Sequence, residues 1–307
     1  MLMSACVEIL VCPPPLRGEA IKLVLRDLTP EQQVATVEST ARLPEKSLDC
    51  LDALFVAIRQ GQITAAVWAQ PQPGRTATLW PQQFAGESDT DVASDLIEAA
   101  TRRIGESDTA MLQAVVEPTD IFTANLLLAA GFAHVAELLY LEWLPKYFER
   151  SIQPNLEFEP YHSGLRERLK QVIGQTYMGS LDCPKLDRLR SLDDVLDGYQ
   201  ATGDFDPAMW MLVRAEGHDV GALLLAWFAQ TQQAELIYMG IVPAARGQGM
   251  GAALLSQAQA LAIERRAEKL LLAVDAANIP ARKLYQRAGF REWSQRNVYV
   301  RAFSGGV

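Results

Sequence analysis

Arg246-Gly247-Gln248-Gly249-Met250-Gly251 places three glycines and a cation directly ahead of a long segment with helical apolar spacing. That combination suits an anion, most simply a phosphate. Glycines let the backbone approach a ligand without a Cβ in the way. The first N–H groups of a helix have no intrahelical partner, and the helix dipole is positive at that end. Arg246 adds a formal charge. Upstream, AELIYMGIV reads as an apolar strand that stops at Pro243, a residue with no N–H to continue a ladder. A dinucleotide fingerprint wants glycine, or at least alanine, in its third place, and Gly247-x-Gly249-x-x-Ala252 meets only the relaxed form. No Lys-Ser or Lys-Thr follows, which excludes a nucleotide P-loop. A plain glycine-rich turn is the remaining alternative, and the strand-to-helix context favours binding.

Positioning this loop takes a strand before it and a helix after it. Met250, Leu254, Leu255, Ala258, Leu261 and Ala262 recur at helical spacing, and Leu270–Val274 reads as a buried strand. Next comes Asn278-Ile279-Pro280-Ala281-Arg282-Lys283-Leu284-Tyr285-Gln286-Arg287-Ala288-Gly289-Phe290, a short helix with proline in its first turn and glycine just past its end. Arg246-x-x-Gly249-x-Gly251 and the later N-x-x-A-x-x-L-Y-x-x-x-G-F pattern, in this order, resemble the two signatures of the GCN5-related N-acetyltransferases (GNAT family). The resemblance covers residues 156–303 well and the first half of the chain in outline.

The resemblance implies transfer of an acetyl group from acetyl-CoA, as co-substrate, to a primary amine by direct attack in a ternary complex, with no metal. Arg246, Gly247, Gln248, Gly249, Met250, Gly251 and Ala252 would hold the pyrophosphate. The strand edge at Ile241 and Val242 would hold the pantetheine arm and the thioester oxygen. Tyr285 matches the family's general acid, which protonates the departing thiolate; its alternative is a ring that packs beside Leu284. Glu235 stands where one branch of the family has a general base, and period-two alternation places it on one strand face with Ile237, Met239 and Ile241. Other members use a water chain. Asn278 is either a cofactor contact or a helix N-cap before Ile-Pro. Acceptor recognition falls to residues 175–210, rich in aspartate (Asp182, Asp187, Asp193, Asp194, Asp197, Asp204, Asp206), which could bind an ammonium group or serve as caps and solvated loop residues. Cys183 before Pro184 makes a weak nucleophile candidate, with no histidine nearby and a family mechanism that needs none.

An internal repeat sets the domain plan. Thr123–Phe132 lies over Ala281–Phe290, the hairpin at 53–70 parallels that at 211–227, and LLYLEW and NVYVRAF follow the two Gly-Phe pairs. The expected fold is α/β (α+β): two tandem GNAT folds, each a mixed central sheet flanked by helices, in the organisation of mycothiol synthases. Residues 1–150 form a degenerate copy and 151–307 the catalytic one, with a linker near Lys146–Asn155. In the first copy the loop Gln82–Ser88 has one glycine, no arginine and an added Glu87; Leu127 stands for Tyr285 and Asp120 for Asn278.

At 307 residues and 49% hydrophobic, the chain is long enough for two cores. A net charge of −9 without a long basic block argues against nucleic acid. Cys6, Cys12, Cys50 and Cys183 are scattered and His134, His162 and His218 have no ligand spacing, so neither disulfides nor zinc are expected. The N-terminus lacks a basic region and no apolar run is long enough to span a membrane, which points to a cytoplasmic protein with no membrane partner. The expected assembly is a monomer with an internal pseudo-dimer. The acceptor stays open: a small amine, a thiol-sugar amine as in mycothiol synthases, or a peptide N-terminus. A non-catalytic acyl-CoA-binding regulatory module is the other class, and it would have no need of a proton donor at Tyr285.

Overall fold

A computed structural model describes residues 7–26, 28, 33, 34, 36, 50–81, 90–145, 156–187 and 189–303. The chain divides into two compact units, and the same order of elements occurs in each, apart from one further helix before the hairpin of unit 2 among the described residues. Unit 1 takes Met1–Val135, Arg188–Asp194 and Asn297–Val307; unit 2 takes Ala136–Asp187 and Val195–Arg296.

In unit 1, β1 (Glu8–Val11) and α1 (Arg17–Val24) precede the hairpin of β2 (Leu54–Arg59) and β3 (Gln62–Gln72). Then come β4 (Thr76–Pro81), α2 (Thr90–Gly105), β5 (Met111–Val116) and α3 (Ile121–Ala129). The crossover through α2 makes β4 and β5 parallel, while the other pairs among β1 to β4 are antiparallel. One stripe of α2, Ala93, Leu96, Ile97, Ala100 and Ile104, packs with Ala57, Leu79 and Leu112 of the sheet in a buried cluster.

Unit 2 repeats the plan with β7 (Leu156–Pro160), α4 (Arg166–Tyr177), most of α5 (Leu192–Gln200), β8 (Trp210–Ala215), β9 (His218–Phe228), β10 (Gln233–Ile241), α6 (Met250–Glu264), β11 (Lys269–Asp275) and α7 (Ile279–Arg287). Again the one crossover, through α6, makes β10 and β11 parallel, beside antiparallel β7, β8 and β9. Every residue of α6 from Ala253 to Ala262 is buried, which fits a helix apolar on nearly all sides. The mixed sheet flanked by helices expected from the sequence is present in each unit.

The final strands do not stay with their own sequence copies. Leu138–Trp143 of β6 (Ala133–Trp143) pairs antiparallel with β11 inside unit 2. Asn297–Ala302 of β12 (Arg291–Ala302) pairs with β5 inside unit 1. Both tails are strands of similar apolar pattern, so each satisfies the edge left open by the other's copy.

The loop Gln82–Ser88 and the linker 146–155 lie outside the described residues. Leu127 is fully buried in the core of unit 1, at the place where unit 2 has Tyr285. Asp120 and Asn278, read above as a divergence, serve one purpose: each caps its helix, Asp120 Oδ1 accepting from Thr123 N (3.0 Å) and Asn278 Oδ1 from Ala281 N (3.3 Å). Among the described residues no helix is long and apolar enough to cross a membrane.

Candidate active site

The glycine loop forms as the residue types demand. A single 3₁₀ turn, Pro243–Ala245, ends β10 and leads to Gly247 (φ 78°) and Gly249 (φ 80°), both left-handed, before α6 starts at Met250. Gly251 has a different reason to be glycine. A Cβ there would lie 3.2 Å from a methyl of Leu284, so its absence lets α7 rest on the first turn of α6. Gln259 reinforces that contact by donating to Ala288 O (3.0 Å). Within the loop, Arg246 N donates to Pro243 O, Ala252 N to Gly249 O (3.1 Å), and the Gln248 amide to Ala244 O (3.2 Å). The backbone N–H groups of Gly247, Gln248, Gly249, Met250 and Gly251 have no partner among the described residues. Five unpaired donors at a helix N-terminus suit an anion.

Beside this loop the parallel pair comes apart. β10 and β11 pair only over Gln233–Glu235 and Lys269–Leu271; β10 then runs on to Ile241 along β9, and β11 runs on to Asp275 along β6. Val242 N donates to Val220 O (2.9 Å), which makes that pair the hydrogen-bonded type and sends the N–H groups of Ile241 and Met239 away from β9, into the gap. The register therefore separates Ile241 from Val242, whose donor is spent on the ladder, and adds Met239, which the sequence did not single out.

A β-bulge at Ile237 corrects the simple alternation along β10. The register shifts between Leu236 and Tyr238, so Glu235 opposes Ala226, Tyr238 opposes Leu224 and Gly240 opposes Ala222. Glu235 thus shares a face with Tyr238 and Gly240, and Met239 and Ile241 point to the other side. An extra residue in one strand re-aims what precedes it. On the Glu235 face, the Thr176 hydroxyl donates to Ile173 O (2.7 Å), so the Tyr238 hydroxyl must be the donor in its own short bond to Thr176. The Tyr238 ring packs near those of Tyr177 and Tyr199. A Cβ on Gly240 would fall 2.7 Å from the Tyr238 hydroxyl and 2.9 Å from Thr176 Cβ, so any other residue would force one of them to move. A glycine inside a strand marks such close approach, and that was the available sequence signal for this aromatic wall.

Glu235 is half-buried, and burial pushes its carboxyl up to about 6. Burial, and then the Glu235 charge, also push the Tyr140 phenol up. Because the folded-state value lies above the ordinary one, ionising Glu235 costs stability, which declines as pH rises from about 4.5 through about 6. Glu235→Gln is expected to raise the melting temperature at pH 7, corresponding to at most about 2 kcal/mol, and to leave it nearly unchanged at pH 4. Equal shifts at both pH values in thermal melts would refute this.

Tyr285 sits on α7, buried, its ring 5.8 Å from that of Phe290. Burial and then the Asp182 carboxylate hold its phenol well above the usual range, so it stays protonated at any working pH. Asp182 belongs to a reciprocal clamp: its Oδ1 accepts from Asp275 N (3.0 Å), while Asp275 Oδ2 accepts from Cys183 N (3.1 Å). Of the aspartates read as possible ammonium ligands, Asp182 is therefore committed to backbone and Asp206 caps the turn at Pro207. Cys183 is left-handed (φ 45°), and burial, with Asp182 and Asp275, pushes its thiol up to about 12. A thiol held protonated by burial is a poor nucleophile.

Residues 176–290 match the model of the acetyltransferase (GNAT) family. Over 108 residues the chain is 38% identical to a mycothiol acetyltransferase of Clavibacter sepedonicus, a stretch that is 35% of each protein, so it spans about a third of the length of the curated relatives it matches. The whole fold is similar to a GCN5-related N-acetyltransferase from Sphaerobacter thermophilus (TM-score 0.67, 15% identity, 98% of this chain and 97% of that one). It is also similar to a tandem GNAT protein from the clavulanic acid biosynthesis pathway (TM-score 0.61, 12% identity, 97% and 98%). Residues 176–290 thus match the acetyltransferase (GNAT) family model, in a chain whose fold is similar to that of a tandem GNAT protein.

Proposed function

We propose that this chain is an N-acetyltransferase that moves the acetyl group of acetyl-CoA to a primary amine by direct attack within a ternary complex. The observation that carries the reading is the parting of β10 from β11 directly beside five unpaired loop amides. An extended arm carrying amides fits the free donors of Met239 and Ile241, and a pyrophosphate at its end fits the cradle from Gly247 to Gly251. Arg246 and Ala252 close that loop around the cradle. The amine nitrogen forms a bond to the thioester carbonyl carbon, and the C–S bond breaks with its electron pair on sulfur. The proton lost by the amine goes to Glu235, directly or through water. The thiolate takes a proton from Tyr285, which its surroundings keep protonated. In this reading Asn278 holds the start of α7, and with it Tyr285.

Tyr285→Phe is expected to lower kcat about tenfold or more and to change acetyl-CoA affinity little, because the hydroxyl acts on the leaving group. Steady-state rates with calorimetric affinities check this, and an unchanged kcat with chemistry rate-limiting makes Tyr285 a packing residue. A base of pKa about 6 gives kcat/KM that falls as pH drops through about 6, and Glu235→Gln should abolish that limb.

The mycothiol acetyltransferases among the relatives favour a second, narrower reading in which the acceptor is a thiol-sugar amine. Acetyl-CoA-dependent thiol release, screened over polyamines, amino sugars, aminoglycosides, thiol-sugar conjugates and peptides, tests both. Turnover confined to the thiol-sugar conjugates selects the second. Acetyl-CoA binding with no turnover on any amine would instead leave a non-catalytic acyl-CoA-binding module.

A further inference from the structure

Arg246 carries the only formal charge of the glycine loop, yet all of its guanidinium nitrogens point at backbone carbonyls. Nε donates to Ile241 O (3.0 Å), one terminal nitrogen to Gly179 O (3.1 Å) and the other to Thr176 O (2.7 Å). These carbonyls come from two places. Ile241 ends β10 at the rim of the gap. Thr176 lies in the last turn of α4 and Gly179 just past its C-cap Met178, where the last helix carbonyls lack intrahelical partners and the helix dipole is negative. A planar fork can serve three acceptors at fixed angles, whereas a lysine ammonium supplies charge without that geometry.

The segment so held begins the stretch assigned to acceptor recognition. Thr176 accepts the Tyr238 hydroxyl on the Glu235 face, and six residues further on the reciprocal Asp182–Asp275 clamp ties the chain to the end of β11. Residues 176–183 are therefore anchored to the cofactor loop, to β10 and to β11, and Arg246 is the anchor to the loop.

We propose that Arg246 is a positioning residue that fixes the acceptor wall, Thr176–Cys183, to the glycine loop, and that its side chain serves the end of α4 in place of the pyrophosphate. The proposal rests on the acetyl-transfer reading for its kinetic consequences. Occupation of the loop by acetyl-CoA then orders the wall, and the two binding sites are coupled reciprocally.

Arg246→Ala and Arg246→Lys decide the matter. A clamp predicts that Arg246→Ala raises the acceptor KM about tenfold, while the acetyl-CoA Kd moves less than about threefold and keeps its salt dependence. Arg246→Lys should not rescue the KM. In the absence of any substrate, the amides of Met178 and Ser180, which donate to Gln175 O and Tyr177 O, should exchange about tenfold faster in Arg246→Ala. The opposite pattern overturns the proposal: an acetyl-CoA Kd raised about tenfold with a weaker salt dependence, rescue by lysine and an unmoved acceptor KM mark a phosphate ligand. Hydrogen exchange also separates the two readings. If the wild type transfers no acetyl group, the acetyl-transfer reading fails, and unchanged exchange at Met178 and Ser180 in Arg246→Ala still overturns the clamp.

Discussion

A fragment that begins at Leu156 and runs to the C-terminus should yield no cooperatively melting protein, although it contains every residue of the glycine loop and of α7. Unit 2 includes Leu138–Trp143, which pairs along the full run of β11 from Leu270 to Asp275. That pairing buries Leu139, Leu141 and Trp143 on the missing side, and the Trp143 ring lies 6.4 Å from that of Phe290. Burying a large apolar side chain is worth about 1.5–3 kcal/mol, so losing three, together with a row of ladder bonds, removes an amount comparable with the whole stability of a typical domain. β12 would also lose β5, the partner of Asn297–Ala302. A fragment beginning at Gly131 keeps β6 and should fare better. Soluble yield and circular dichroism melts of the two fragments make the comparison. A cooperative melt for the shorter fragment close to that of the full chain would show that β6 is dispensable.

Gly249→Glu is the point substitution with the largest expected effect on the candidate cofactor site. Gly249 holds φ 80° and ψ −4°, a conformation that costs a residue with a Cβ about 1 kcal/mol, and it stands at the N-cap of α6. A carboxylate placed there would accept from the same free N–H groups that are proposed to hold a pyrophosphate, and would repel it. We expect acetyl-CoA affinity to fall about 100-fold or more by calorimetric titration, from one site per chain. Gly249→Ala, which adds only strain, should lose much less. Undiminished affinity in the glutamate variant would place the cofactor somewhere else, and two equivalent sites per chain would show that unit 1 binds it as well.

The sequence alone determined the features that follow local rules. Gly247 and Gly249 stand at left-handed positions, Pro243 ends a strand, Asn278 caps a helix that Gly289 closes, and the tandem order of elements repeats with the sequence. Each of these is decided within a few residues, by a missing Cβ, a missing N–H or a short polar side chain. Only the tertiary structure decided the rest. The bulge at Ile237 turns Glu235 to the Tyr238 face, and no period-two count can show it, because a bulge exists only in the pairing with β9. Arg246 serves α4, whose last carbonyls lie 70 residues away in sequence. The exchange of β6 and β12 was equally hidden: both are apolar strands that follow a Gly-Phe pair, and nothing local distinguishes one strand edge from another. Strand edges are selected by what the rest of the chain leaves unpaired, and that is settled only when the whole chain has packed.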